Sequence, residues 1–262
     1  MFKKLTGGLL VLSFLVLFLG MGAVEVLALT GEEILGNLDE TMKADNKIME
    51  QEMILYTGSG SERNREVRVW NKTGEDGSKK MLLKFTAPAS IAGTSFLIVD
   101  DDMWLYMPAL GKVRRIAGSA KQGNFMGSDL SYEDMEALGS TGFKNDYIAK
   151  VTAEEEGNNG RVYQLELIPR EGAGVAYSML ELIVDGSKWL PLEIKYYNQS
   201  GELEKVLTTS GHEKIEGRWT ATRMEMENVI EGSRTVLKVK KVSFNEEIDN
   251  HIFTTRYLER GL

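Results

Sequence analysis

Two histidines, thirteen methionines and no cysteine set the chemistry open to this 262-residue chain. His212 follows Ser210-Gly211, and His251 sits in the polar segment before Phe253. Neither stands by a nucleophile motif such as G-x-S-x-G, so a Ser-His arrangement has no local support. Carboxylates are plentiful, but Glu154 to Glu156 and Glu246-Glu247 lie in polar runs that solvated turns explain. Asp100-Asp101-Asp102 lacks the spaced ligands and glycine of a calcium loop and reads as a charged hairpin tip. Without cysteine there is no thiolate zinc site, no disulfide and no cysteine to carry a lipid. No phosphate-cradling or dinucleotide fingerprint is present. These residues point to a protein that is not an enzyme and holds no metal or cofactor.

The methionines say more. Met49, Met53, Met81, Met103, Met107, Met179, Met224 and Met226 all fall in segments that read as strands. An unbranched thioether adapts its shape, which suits a cavity for variable acyl chains and equally a core with irregular gaps. A basic group, Lys112, Arg114 and Arg115, follows the aromatic segment Trp104 to Tyr106. It is a candidate contact for a lipid headgroup or an acidic partner, and it also fits a solvated strand edge. The net charge of −8 argues against nucleic acid.

The elements that must position these residues are mostly strands. Met81, Leu83 and Phe85 share one face, and so do Tyr163, Leu165 and Leu167, and Leu190, Leu192, Ile194 and Tyr196. Such alternation makes sheets with one apolar and one wet face. Asp185-Gly186, Asn198 to Gly201 and Glu216-Gly217 mark short hairpin turns. Thr30 and Glu33 form a capping box that opens a helix over Thr30 to Asp45, with Ile34, Leu38 and Met42 as its buried stripe. Between Gly118 and Gly142 the meander is interrupted by a glycine-rich stretch. Ser131 and Asp134 open a short helix there, over Tyr132 to Leu138, and a long loop of this kind is a candidate lid.

Lys3 and Lys4 followed by the apolar run Leu9 to Leu19 read as a secretory signal over residues 1–28, cleaved near Ala28. An uncleaved anchor on the outer face of the cytoplasmic membrane is the alternative. Residues 29–262 then form one domain, mainly β, a half-open antiparallel β-barrel of about ten or eleven strands with an N-terminal helix and a short helical lid. Two small helices cannot cover so large a sheet, so it either closes on a filled interior or curls into a trough.

Read in order, Trp104-Leu105-Tyr106-Met107-Pro108, Lys112-Val113-Arg114-Arg115-Ile116 and Met126-Gly127-Ser128-Asp129-Leu130-Ser131-Tyr132-Glu133-Asp134 carry a resemblance. With the ending Asn245 to Ile248, Ile252-Phe253-Thr254 and Tyr257-Leu258, the chain from Thr30 to Leu262 resembles the outer-membrane lipoprotein-sorting proteins, which are LolA-like. The resemblance implies an incomplete barrel with an apolar concave face under a helical lid. It implies a periplasmic carrier of lipoprotein acyl chains or other lipids, with an inner-membrane transporter or exporter complex and an outer-membrane acceptor as candidate partners. The alternative is a lipid-sensing or docking module of an export complex; an exported hydrolase is a minority reading. The candidate cavity residues are Met81, Leu83, Phe85, Leu105, Met107, Leu192, Ile194, Met224 and Met226, on the premise that no bulge reverses their parity. Met126, Ser128, Asp129 and Tyr132 are the candidate lid or partner contacts.

Overall fold

The computed structural model describes residues 28–139, 142–157 and 160–260. The signal segment falls on residues outside that range, Ala28 excepted. The first element is the helix α1, Gly31–Met42. Its capping box forms as expected: the Glu33 amide donates to Thr30 Oγ1 at 3.3 Å, and the Thr30 amide donates to Glu33 Oε2 at 2.8 Å. Ile34, Leu35 and Leu38 are fully buried. At Gly31 the helix lies so close to the sheet that an added Cβ would sit 2.3 Å from the Ala149 carbonyl oxygen.

One antiparallel meander runs through β1 Asn46–Tyr56, β2 Glu62–Thr73, β3 Lys79–Ala87, β4 Ser95–Val99, β5 Asp102–Met107 and β6 Lys112–Ile116. A second runs through β7 Tyr147–Gly157, β8 Gly160–Pro169, β9 Met179–Asp185, β10 Leu190–Tyr197, β11 Leu203–Ile215, β12 Arg218–Asn228 and β13 Ser233–Phe244. They join at a seam, where β1 pairs with β13, into one thirteen-stranded antiparallel sheet with β6 and β7 at its edges. The sheet is open and curled, so the expected half-open architecture holds. The strand number exceeds the count from alternation because the edges bury little. Glu154 and Glu156, expected in solvated turns, instead stand exposed on β7 and pair with Arg161 of β8. The β11–β12 hairpin turns on Glu216 and Gly217, both at positive φ, the backbone a two-residue hairpin requires.

Two apolar clusters hold the layers. The larger fills the concave side, where α1 and the β6–β7 connection lie on the inner faces of the strands. The smaller lies on the convex side. There the C-terminal segment, ending in the short helix α4 Thr255–Arg260, places Ile248, Phe253 and Leu258 against Leu82 and Leu97. Among the described residues no helix is long and apolar enough to cross a membrane.

Candidate functional site

Because β6 and β7 are consecutive in the chain yet lie at opposite edges, the segment between them, described over 117–139 and 142–146, crosses the open side of the curled sheet. This crossing is the segment expected as a lid. It contains the helix α2 Tyr132–Gly139 and the short helix α3 Phe143–Asp146. A sharp bend, with Met126 at φ 51° and Gly127 at φ 74°, turns the chain ahead of α2. That bend drives Phe125, fully buried, onto Phe85 and Phe96, with ring centroids 5.9 Å and 5.2 Å away. Tyr132 meets Phe125 edge-on at 5.5 Å, and Leu130 and Met135 complete the apolar underside.

Two buried carboxylates tie this lid to the second meander. Asp129 accepts hydrogen bonds from Ser233 Oγ and from Thr235 Oγ1, the latter at 2.6 Å. Asp134 accepts from the Ser131 amide at 2.7 Å, from Tyr177 Oη at 2.9 Å and from Lys205 Nζ at 2.9 Å. The Ser131–Asp134 pair therefore caps α2 as the spacing implied and also reaches β11. Burial, and then the Asp134 charge, pushes the Tyr177 hydroxyl far up, so it stays a donor. At the far end Asp39 of α1 accepts from the Gly142 and Lys144 amides at 3.1 and 3.3 Å.

The concave face is thus covered, and the space that remains is a cavity of about 650 Å³ between α1, the lid and the sheet. Apolar wall comes from Met42, Met81, Ile98, Leu138, Val175 and Leu180, and polar wall from Lys47, Asn71, Glu133 and Glu136 among others. Burial raises both glutamates above their ordinary range, and it pushes the Lys47 ammonium down to about 8 with Arg218 adding to the effect. Asn71 is buried, and neither of its side-chain polar atoms has a partner among the described residues.

Of the residues expected in the cavity, Met81 lines it. Leu83, Phe85, Leu105, Ile194 and Met226 lie buried in the large core, and Met107 and Met224 pack against it half-exposed. Leu192 falls in a bulge between Pro191 and Glu193 and stands half-buried without a paired partner on β9. Of the expected lid residues, Met126, Ser128, Asp129 and Tyr132 all belong to the crossing, with Ser128 Oγ donating to the Phe125 carbonyl at 2.7 Å. Lys112, Arg114 and Arg115 are exposed on the edge strand β6, away from the cavity, and Arg115 pairs with Asp102. His212 bonds Thr209 Oγ1 at 2.8 Å, and His251 pairs with Asp249 at 2.9 Å. Sequence reading missed Lys47, Asn71, Tyr177 and Lys205. The available signal was phase: Asn71 continues the inward face of Val67 and Val69, and Lys205 that of Leu207.

A family model described as uncharacterized protein-like matches residues 77–260. No curated protein matches. Among solved structures, a DUF1329 family protein from Desulfovibrio piger is 32% identical, with 87% of this chain and 97% of that one covered and a TM-score of 0.81. A domain assigned to outer membrane lipoprotein sorting, from Vibrio parahaemolyticus, is 30% identical over 88% of this chain and 98% of its own, with a TM-score of 0.79. A LolA superfamily protein from Nitrosomonas europaea shares the fold at a TM-score of 0.71, with 24% identity over 88% of this chain and all of that one. The thirteen-stranded curled sheet, the crossing segment and this identity over most of both chains agree: the chain belongs to the family of DUF1329 and outer-membrane lipoprotein-sorting proteins.

Proposed function

We propose that this chain is a periplasmic carrier without catalytic activity, which takes up lipoprotein acyl chains or another lipid beneath its lid and passes them to an acceptor. The observation that carries the reading is the contact of Phe125, Leu130 and Met135 with the inner face of the sheet. The lid lays side chains of its own where a hydrocarbon tail would otherwise lie. Exchanging those contacts for an acyl tail is close to neutral at the sheet, because one apolar surface replaces another. The tail itself gains about 0.8 kcal/mol for each methylene taken out of water. The polar ties at Asp129 and Asp134 then set how readily the lid leaves.

In the open state Leu83, Phe85, Leu105, Ile194 and Met226 become the floor of the binding trough, while Met81 already borders the cavity in the closed one. The exposed group Lys112, Arg114 and Arg115 is placed to meet an acidic partner at the sheet edge. The test is lipid extraction and native mass spectrometry of the full chain purified from its own envelope. A co-purifying acylated species, displaced by added lipid, is expected. Protein that leaves the envelope lipid-free, and that takes no radiolabelled acyl lipoprotein from detergent, would end the carrier reading.

A further inference from the structure

On its sheet side the cavity wall carries a polar pair at the end of an otherwise apolar cross-strand row, while Asp100, Asp101, Glu133 and Glu136 are among the acids elsewhere in its lining. Lys47 on β1 stands opposite Asn71 on β2, Asn71 opposite Met81 on β3, and Met81 opposite Ile98 on β4. All four line the same cavity. The row goes on through Met103 of β5 to Ile116 of β6, both buried and apolar. Asn71 is only 6% exposed, and its Nδ2 and Oδ1 both lack a partner among the described residues. Buried side-chain amides in native proteins are almost always hydrogen-bonded, so an unpaired one in a cavity wall points to a group that arrives from outside the chain.

Lys47 beside it makes no ion pair among the described residues, and the charge that acts on it is another cation, Arg218. Arg218 is itself engaged, donating to the Lys43 carbonyl and lying 5.5 Å from the Phe244 ring centroid. A half-buried ammonium without an ion-pair partner among the described residues, next to an unpaired amide donor, is complementary to an anion with several acceptor lone pairs. The apolar wall of Met81, Ile98, Leu138 and Leu180 is complementary to a hydrocarbon tail. The volume of about 650 Å³ falls in the small-molecule range.

We propose that Lys47 and Asn71 hold the carboxylate head of a single acyl chain whose tail lies against Met81 and Ile98. The carboxylate accepts from Asn71 Nδ2 and from Lys47 Nζ, and the three ammonium protons leave one to serve Asn71 Oδ1. An ester or alcohol head supplies acceptors without charge and leaves Lys47 unmet. This proposal rests on the carrier reading and names the class of head it takes.

The test is calorimetric titration of the full chain at neutral pH with palmitate, with hexadecanol and with butyrate. Palmitate is expected to bind at least about tenfold more tightly than hexadecanol, a difference of about 1.4 kcal/mol. In Lys47→Met and Asn71→Leu that preference is expected to fall to within about twofold, as charge-assisted hydrogen bonds are lost. Asn71→Asp places a fixed anion opposite Lys47 and is expected to reverse the preference. Asn71→Leu is also expected to melt no lower than the parent, since it removes two unpaired buried polar atoms. Equal affinity of the parent for palmitate and hexadecanol, or an unchanged preference in the variants, overturns the polar end and leaves the carrier reading standing. Butyrate binding as tightly as palmitate overturns it in favour of a plain anion site. Failure of the parent to bind either long-chain probe overturns both readings together.

Discussion

Asp134 of α2 and Lys205 of β11 form an ion pair at 2.9 Å in which each side chain is only 4% exposed. It ties the lid to the half of the sheet farthest from the strand the lid leaves. Tyr177 adds a neutral donor to the same carboxylate, so Asp134 is served by a cation, a hydroxyl and a backbone amide. A carboxylate so fully paired is stable where it is and costly to strip of one partner.

Removing one member of that pair is the sharpest test of the latch. Asp134→Asn leaves Lys205 buried with only the 4.0 Å contact to Glu204 to meet its charge, and a loss of about 3–5 kcal/mol in urea unfolding is expected. Replacing both members, Asp134→Leu with Lys205→Met, is expected to recover most of that loss, because no uncompensated charge remains. If the single variant unfolds at the parent's urea midpoint, the pair does not hold the lid.

Thr235→Val deletes the donor that Asp129 receives at 2.6 Å while keeping the side chain's shape. A loss of about 1.5–3 kcal/mol is expected, the range for a hydrogen bond to a charged group. Hydrogen exchange of the amides around Phe125 to Ser131 is expected to quicken more than exchange in β8 or β9. Uniform quickening across the sheet would mean that the bond serves global stability and not the lid.

Phe125→Ala opens space beneath the lid against Phe85 and Phe96. The expected cost is about 3–5 kcal/mol of stability. Uptake of a fluorescent fatty-acid probe is nonetheless expected to become faster, since the lid has lost its grip on the sheet. Slower uptake than in the parent would count against displacement of Phe125 by a tail.

Lys47 makes stability depend on alkaline pH. Its folded-state pKa is pushed down to about 8 from an ordinary value of 10.5. Between those values the unfolded chain binds the extra proton, so stability from this group rises as pH climbs from about 8 to about 10.5. The residues opposite it are Asn71 of β2 and Phe244 of β13; the cation Arg218 acts on it from β12, and the Glu216 carboxylate of the β11–β12 turn accepts from the Phe244 amide at 3.0 Å. Thermal melting over this window is expected to show the rise in the parent and a flatter profile in Lys47→Met. A parent profile identical to that of the variant would mean that Lys47 titrates as an ordinary surface lysine.

The legible part of the fold was the part written in short-range periodicity. Thr30 and Glu33 announced α1 three residues apart, and both hydrogen bonds of the box are present. Alternation located the inner strands, where every second side chain is buried. It failed at the far end of β7, where Glu154, Glu155 and Glu156 are all exposed and carried no sign of being in a sheet. It also gave no sign of the irregularity at Leu192, because a bulge adds a residue that no pattern of polar and apolar types records.

The candidate site was legible as a segment and not as a mechanism. Met126 to Asp134 stood out by its glycine and cap residues, and that segment lies across the concave face of the sheet. Its anchors are Ser233 and Thr235 for Asp129, and Tyr177 and Lys205 for Asp134. These lie far along the chain, where spacing says nothing about contact. Phe85 and Leu105 were assigned to a cavity by parity alone. Parity places them on the inner face but cannot show that Phe125 covers it.

The seam between β1 and β13 fixes when the molecule can become whole. Each meander is assembled from neighbours in sequence, but Lys47 meets Phe244 across nearly the full length of the chain. Contacts of such range pay their loop-closure entropy late. A nascent or threading polypeptide therefore remains two separate half-sheets until its last long strand is delivered, and a truncation before Ser233 leaves a split molecule with no midline.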